Sequence, residues 1–448
     1  MQFWEAIDYN KARKVLVIPN ITNSSNIEKD SFIDVIHNHI KALEKYGEYF
    51  WHVLIPTGNV TKKLNLPNVK QHQIDIPGDM MNQRAFPSSE LMKMLKDIEY
   101  DVIYSHLPDW PQVGRYAKFE TKIVGYSHWF EGSKHLPCNG VDRRDGKAKW
   151  LWLPIELLGI SQMETCYLNT QDQKNRVLAE AKEVFNDEFV QQLDKILTVW
   201  NLGVEKSKIV EKPSESKRKI IVFNHRPDTY KHFKEFIALT DELWEIRQDF
   251  KVWIPLLDKP NRDYVVTTKF DKQGYYKELR KCYMGFSPKQ KYGGWSVSTT
   301  DGMMNGVPYI MYDADYYHEL HDKASFFSDD NDALMMMNTY LDDLPFRNEE
   351  AEYALEHIRD NLIYKDKMVD MNEYMNDLLS KQKVMGDSEK FKEIVEFIKT
   401  NKQVGKKDLM DWLCWGRGIK WTPYRRALMN HPNIYDVNGS NPTYCWKD

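Results

Sequence analysis

The stretch KIIVFNHRPDTYKHFKEF, Lys219 to Phe236, decides the fold. It opens with a short β-branched and aromatic run, crosses a polar turn at Pro227, and takes up helical spacing from about Tyr230 to Arg247. A short apolar run bounded by turn residues reads as a buried strand, and a strand feeding a helix is half of a parallel βαβ unit. Downstream the rhythm repeats through FKVWIP (Phe250 to Pro255), a helix near Gln273 to Lys281, CYMGFSP (Cys282 to Pro288), a helix over Thr300 to Asn305, and VPYIMY (Val307 to Tyr312). Upstream, KVLVIPN (Lys14 to Asn20) starts the same alternation: a helix over Asp30 to Tyr46, strands at Tyr49 to Ile55 and near Gln71 to Ile76, then short runs at Asp101, Lys122 and Cys166. Glu205 to Arg218 is polar, holds Pro213 and reads as a linker. The expectation is an α/β protein of two Rossmann-like doubly wound domains, 1–204 and 219–386, joined by 205–218 and followed by a C-terminal helical tail, 387–448.

The 448 residues, 42% hydrophobic and 29% charged, are enough for two such cores. The most apolar segment, Trp150 to Ile160, is too short for a membrane helix and contains Pro154 and Glu156. MQFWEAIDYNKARK has no apolar signal core, and the 5 cysteines show no metal spacing. A reduced cytoplasm fits them. A net charge of −4 excludes a globally basic coat but leaves room for a local basic patch.

In such sheets ligands bind at the carboxyl ends of strands, where the strand order switches direction, and a helix start there offers N–H groups to anions. Arg226 and Lys231 fall on that turn after Lys219 to Phe223. A guanidinium fork and an ammonium point charge suit a pyrophosphate; two solvated surface cations are the plain alternative. In KYGGWSVSTTDGMMNGVPYI (Lys291 to Ile310), Gly293 and Gly294 allow close backbone approach. Ser298, Thr299 and Thr300 are candidate caps with hydroxyls to offer, and Asp301 is expected in the helix's first turn. Asp301 can serve as a ribose-binding acid or as an ordinary helix-start acid. VGYSHWFEGSKH places His128 at a strand end, a position for a polarising or proton-handling imidazole. His106 sits equivalently, and Glu131 is a further candidate. Either histidine can equally be structural. The D-x-D at Asp313 to Asp315 follows a strand and reads as a loop, so no metal site is expected.

Two doubly wound halves, Arg226 and Lys231 five apart, and an acid ahead of Gly306 and Pro308 resemble the nucleotide-sugar glycosyltransferases of the GT-B fold, in their retaining branch. The resemblance implies that Arg226 and Lys231 bind the donor pyrophosphate, that Asp301 binds the ribose, and that His128 lies near the transferred sugar. It also implies a UDP-linked sugar donor and no obligatory metal or other cofactor. Two departures stand out. Gly293 and Gly294 occupy the region of the family's earlier Glu, and PNITNSSN (Pro19 to Asn26) replaces its first glycine-rich loop. The chain is similar, more weakly, to the T-even phage DNA α-glucosyltransferase that modifies hydroxymethylcytosine. That likeness implies duplex DNA as acceptor, in a host cytoplasm if the protein is phage-encoded, with no protein partner expected.

The tail bears on the acceptor. Between Lys402 and Arg426, seven cations face only Asp408 and Asp411 and are interleaved with Trp412, Trp415 and Trp421. Phosphate contacts with base stacking would use Arg417, Lys420, Trp421, Arg425 and Arg426. Simple packing of the Trp side chains is the alternative, as are a lipid- or protein-linked glycan acceptor and a non-catalytic binding module.

Overall fold

The computed structural model describes residues 9, 12–20, 27, 31–44, 46, 49–58, 61–74, 94, 98, 100–106, 121–128, 130, 137–138, 141–142, 147–213, 218–260, 262–290, 295–383, 389–412, 428, 431–437 and 443–447. The first lobe is built on strands β1 (Arg13–Ile18), β2 (Tyr49–Pro56), β3 (Val69–Ile74), β4 (Val102–Ser105), β5 (Lys122–Ser127), β6 (Thr165–Leu168) and β7 (Leu197–Val199). They form one sheet in the order β3-β2-β1-β4-β5-β6-β7, with every pairing parallel. Helix α1 (Ser31–Glu44) lays Ile33, Ile36, Ile40 and Leu43 on one face of the sheet. The segment nearest to a membrane span is α2 (Lys147–Ser161), whose Leu153, Leu157 and Ile160 are buried in the opposite core. No helix among the described residues is long and apolar enough to cross a membrane. Helices α3 (Gln171–Lys182) and α4 (Asp187–Ile196) complete that side, capped by the Thr170 and Asn186 side chains.

The second lobe repeats the plan. Strands β8 (Ile220–Val222), β9 (Lys251–Trp253), β10 (Val265–Val266), β11 (Met284–Ser287), β12 (Tyr309–Tyr312) and β13 (Ser325–Phe327) pair in parallel in the order β10-β9-β8-β11-β12-β13. Helices α5 (Phe233–Ile246), α6 (Lys272–Leu279), α7 (Val297–Met303), α8 (Asp315–Leu320), α9 (Asp330–Asp342) and α10 (Leu344–Asn361) cover it. In both sheets the chain works outward in one direction, then restarts beside the first strand. The order therefore switches between β1 and β4, and between β8 and β11.

The chain crosses between the lobes twice, and the crossings bond to each other. Val204 N–H donates to Leu362 O at 2.6 Å, and Tyr364 N–H to Val204 O at 3.0 Å. Gly203 permits this approach, since a Cβ there would lie 2.8 Å from Tyr364 N. After the second crossing, α11 (Tyr364–Lys383) buries Met368, Met371, Met375, Leu378 and Leu379 in the core of the first lobe. The chain thus returns to the first lobe at Tyr364, well before the boundary expected at residue 386. The tail is not purely helical: α12 (Glu389–Asn401) and α13 (Lys406–Trp412) accompany strands β14 (Gln403–Gly405), β15 (Ile434–Asp436) and β16 (Thr443–Trp446).

Candidate functional site at the strand ends of the second lobe

The turn after β8 sets the site. Phe223, Asn224 and His225 continue the strand inward and are buried. A 3-10 turn, Thr229–Lys231, follows, and His232 closes it at φ 49° before α5 begins. A non-glycine residue held in the left-handed region is locally strained, a feature that clusters at functional sites. The turn leaves Arg226 exposed and Lys231 half-buried.

Lys231 Nζ donates to Gln290 Oε1. Gln290 lies just past β11, so this bond spans the switch point between β8 and β11. Its amide is fixed from the other side: Nε2 donates to Tyr317 Oη at 2.9 Å and to Pro288 O at 3.2 Å, and its backbone N–H donates to Tyr316 Oη at 2.7 Å. Burial pulls Lys231 down to about 8, and the nearby Arg226 charge adds to the effect against a weaker pull from Asp228. Among the described residues neither Arg226 nor Lys231 forms an ion pair with a carboxylate. Two adjacent cations, one resting on a neutral amide, make a site suited to an anion. Beside them, buried His225 is held near 3 by burial and by Lys231. The Phe286 carbonyl is close to it, yet neither ring nitrogen makes a hydrogen bond of ordinary geometry.

Helix α7 corrects part of the sequence reading. It starts at Val297, capped by Ser296, so Asp301 lies in the second turn rather than the first. Thr299 and Thr300 are not caps. The Thr299 hydroxyl is 2.8 Å from that of Ser287, and the Thr300 hydroxyl donates to Val297 O at 2.9 Å. Asp301 is buried at 9% exposure, with the Lys272 ammonium at 3.5 Å and the Tyr276 hydroxyl donating at 3.4 Å, both from α6. Burial raises its carboxyl above the usual range, and Lys272 partly offsets this. Asn224 ties α7 to the cation turn. Its Nδ2 donates to Ser298 O at 2.7 Å and to Tyr275 Oη at 2.9 Å, while Tyr309 Oη donates to its Oδ1 at 3.1 Å. Gly293 and Gly294 lie outside the described residues, as do Glu131, Arg417, Lys420, Trp421, Arg425 and Arg426.

His128 and His106 form a separate cluster on the first lobe, past the ends of β5 and β4. Their rings stack, with His106 Nδ1 and His128 Nε2 2.8 Å apart. Burial holds His106 near 3 and His128 well below its ordinary value, so both are neutral at pH 7 and one donates to the other. Phe32 packs edge-on against His128, and His39 bonds Tyr104 Oη at 2.9 Å. The Asp34 charge on α1 adds to the rise of the Asp301 carboxyl, behind the larger effect of burial.

No protein-family model matches the sequence, and no curated protein matches it. Solved structures do. A sucrose-phosphate synthase from Thermosynechococcus elongatus aligns with a TM-score of 0.63 at 12% identity, over 82% of this chain and 100% of its own. Anabaena HepE, in complex with UDP and glucose, gives 0.60 at 11% identity, over 82% and 99%. An E. coli trehalose-6-phosphate structure bound with UDP-2-fluoro glucose gives 0.61 at 11%, over 82% and 99%. The fold is GT-B.

In this GT-B chain Asp313 pairs with His318 at 2.7 Å and Asp315 opens α8, so the D-x-D is a strand-to-helix junction. One grouping among the described residues could ligate a metal. His321, Asp322 and His357 bring ligand atoms within 4.8 Å of one another, on α10 and the end of α8. Sequence reading missed Gln290, Asn224, Lys272 and Tyr276. Nothing local marks them, because their roles come from neighbours distant in sequence.

Proposed function

We propose that the protein is a GT-B glycosyltransferase that moves a sugar from a nucleoside diphosphate, UDP-linked, to an acceptor hydroxyl, with retention. The observation that carries the reading is the Lys231–Gln290 bond across the β8/β11 switch point, with Arg226 beside it and, among the described residues, no carboxylate ion-paired to either cation.

As the glycosidic bond to the donor phosphate breaks, negative charge builds on the departing diphosphate. Lys231, released from Gln290, and Arg226 meet that charge in a partly desolvated turn, where it counts for more than in water. Asp301 accepts the ribose hydroxyls. The sugar passes through an oxocarbenium-like state. In the retaining course the departing phosphate oxygen takes the acceptor proton, so neutral His128, held by His106, orients hydroxyls rather than acting as an acid. The acceptor in this reading is a hydroxymethylated pyrimidine in duplex DNA, supported by the concentration of positive charge in the tail.

The test is to incubate the protein with UDP-sugars and duplex DNA bearing hydroxymethylcytosine and to follow UDP release and mass gain of the DNA. Sugar-dependent mass gain is expected. UDP release only with glycan acceptors would overturn the DNA acceptor, and no UDP-induced rise in melting temperature would overturn the donor site itself.

A further inference from the structure

The short helix α8 ends against the last turns of α10. Its closing residue is His321, whose N–H donates to Tyr317 O at 2.9 Å and whose carbonyl accepts from Ala324 N–H at 3.2 Å, so residues 321–324 turn the chain into β13. Leu320 on α8 and Ile358 on α10 are fully buried in one apolar cluster. Beside it, Lys323 Nζ lies 5.5 Å from the centre of the Tyr353 ring. One turn beyond Tyr353 on α10 comes His357. Its ring centroid is 5.1 Å from that of His321. His321, Asp322 and His357 each offer a ligand atom, and these atoms all lie within 4.8 Å of one another.

Packing alone does not account for these three side chains. His321 is 4% exposed, its Nδ1 is buried without a partner, and no hydrogen bond among the described residues reaches its ring. A buried polar nitrogen is normally satisfied, because leaving water without a partner is costly. Asp322 is exposed and enters no ion pair among the described residues, although Lys323 is its neighbour in the chain. His357 is half-buried, with Asn361 Nδ2 3.4 Å from its Nδ1 and the Leu320 carbonyl close by, so neighbours on both helices orient its ring. An unsatisfied imidazole, a second imidazole and an unpaired carboxylate thus converge from two elements.

We propose that His321, Asp322 and His357 bind one divalent cation of the zinc type, which pins the end of α8 to α10. Two imidazole nitrogens and one carboxylate oxygen are borderline donors that suit zinc, whereas magnesium and calcium take six or more oxygens. Three protein ligands leave the fourth tetrahedral position to water. Atoms bonded at 2.0–2.1 Å around a tetrahedral zinc stand about 3.3 Å apart. The group therefore contracts on binding, and the exposed Asp322 and half-buried His357 side chains have room to move. The metal supplies the partner that His321 lacks, and the Asp322 charge offsets part of the cation's. The role is structural. Among the described residues no hydrogen bond or ion pair joins the three to Arg226, Lys231 or Asp301, so sugar transfer takes no metal from this site. Helix α10 instead runs on to the crossing at Leu362, and Arg359 in its last turn donates to the Val210 and Glu211 carbonyls at 2.8 and 2.6 Å. A cation between α8 and α10 braces the hinge side of the second lobe.

The experiment uses the full, untagged chain, stripped with a chelator and then titrated with zinc alone by calorimetry. The wild type is expected to take up one zinc per chain, and its melting temperature to rise with zinc, because the cation binds the folded state. Magnesium should do neither. H357Q should bind zinc more weakly by over 100-fold, beyond the 10- to 100-fold typical of losing an outer-shell partner, and D322N by at least tenfold. Cobalt in place of zinc should give the wild type the strong visible absorption of a four-coordinate ion, and H357Q should lose it. Circular dichroism and the metal-free melting temperature certify that the variants fold; D322N removes only an exposed charge, so it keeps the test alive if H357Q is unstable. The inference is overturned if the wild type takes up no zinc, if the folded variants bind it as tightly as the wild type, or if magnesium is bound in preference. None of these measurements involves UDP or sugar transfer, so they stand or fall apart from the proposed reaction.

Discussion

Lys231 is a cation that its surroundings disfavour. Burial and Arg226 depress it to about 8, so in the unliganded protein the ammonium is lost as pH rises through that value. Donor kcat/KM, which reports the free enzyme, should therefore fall above about pH 8. Lys231→Arg should shift the descending limb upward, and a limb unmoved in that variant would assign it to another group. Lys231→Ala should lower turnover by about 10²–10³, the usual effect of losing one transition-state charge partner, with little change in melting temperature. Asp301 has the opposite bias. Its folded carboxyl titrates above the ordinary 3.8, so stability falls as pH rises from there through the raised value. At pH 7 Asp301→Asn should thus be at least as stable as the wild type while its donor KM rises several-fold. A less stable variant with unchanged KM would make Asp301 a packing residue.

Among the elements, α7 shows how much precision the donor side depends on. Gly302 faces Tyr309, and a Cβ at Gly302 would come within 2.1 Å of the Tyr309 hydroxyl. That hydroxyl holds Asn224, which holds the start of α7. Gly302→Ala should force the ring aside and cost about 1–3 kcal/mol, read as a lower urea midpoint at unchanged slope. The same comparison separates what the sequence made legible from what it did not. The place of Arg226 and Lys231 on a strand-to-helix turn was readable because a short apolar run followed by a polar turn and helical spacing is a local signal. So were most strands, within a residue or two. The start of α7 was misread because Ser296, Ser298, Thr299 and Thr300 are all plausible caps, and only tertiary contacts choose Ser296. Helix α11 carried a signal in Met368, Met371, Met375 and Leu378 at helical spacing, but not its destination. The tail's strands are three or four residues long, too short for an alternating pattern to stand out.

At the scale of the whole molecule, the question is what sets the lobes' separation. Besides the Val204–Tyr364 crossing, a hydrogen-bonded carboxylate links them directly. Glu319 on α8 of the second lobe accepts from the N–H groups of Gln171 and Asp172, at 2.6 and 2.9 Å, at the start of α3 in the first. A carboxylate at a helix start gains from the dipole and from charge-assisted bonds, about 1–2 kcal/mol for a partly buried pair. The hinge itself is covalent and hydrogen-bonded, so losing this clasp should not separate the lobes but should bias them open. By that magnitude, Glu319→Ala should shift the closed-to-open ratio by roughly 5- to 30-fold. Donor binding that needs both lobes then weakens by up to that factor, in proportion to the loss of the closed, competent fraction. Small-angle scattering should show a larger radius of gyration for unliganded Glu319→Ala, and saturating UDP-sugar should restore the wild-type value. An unchanged radius together with an unchanged donor KM would mean that the hinge, and not the clasp, sets the groove.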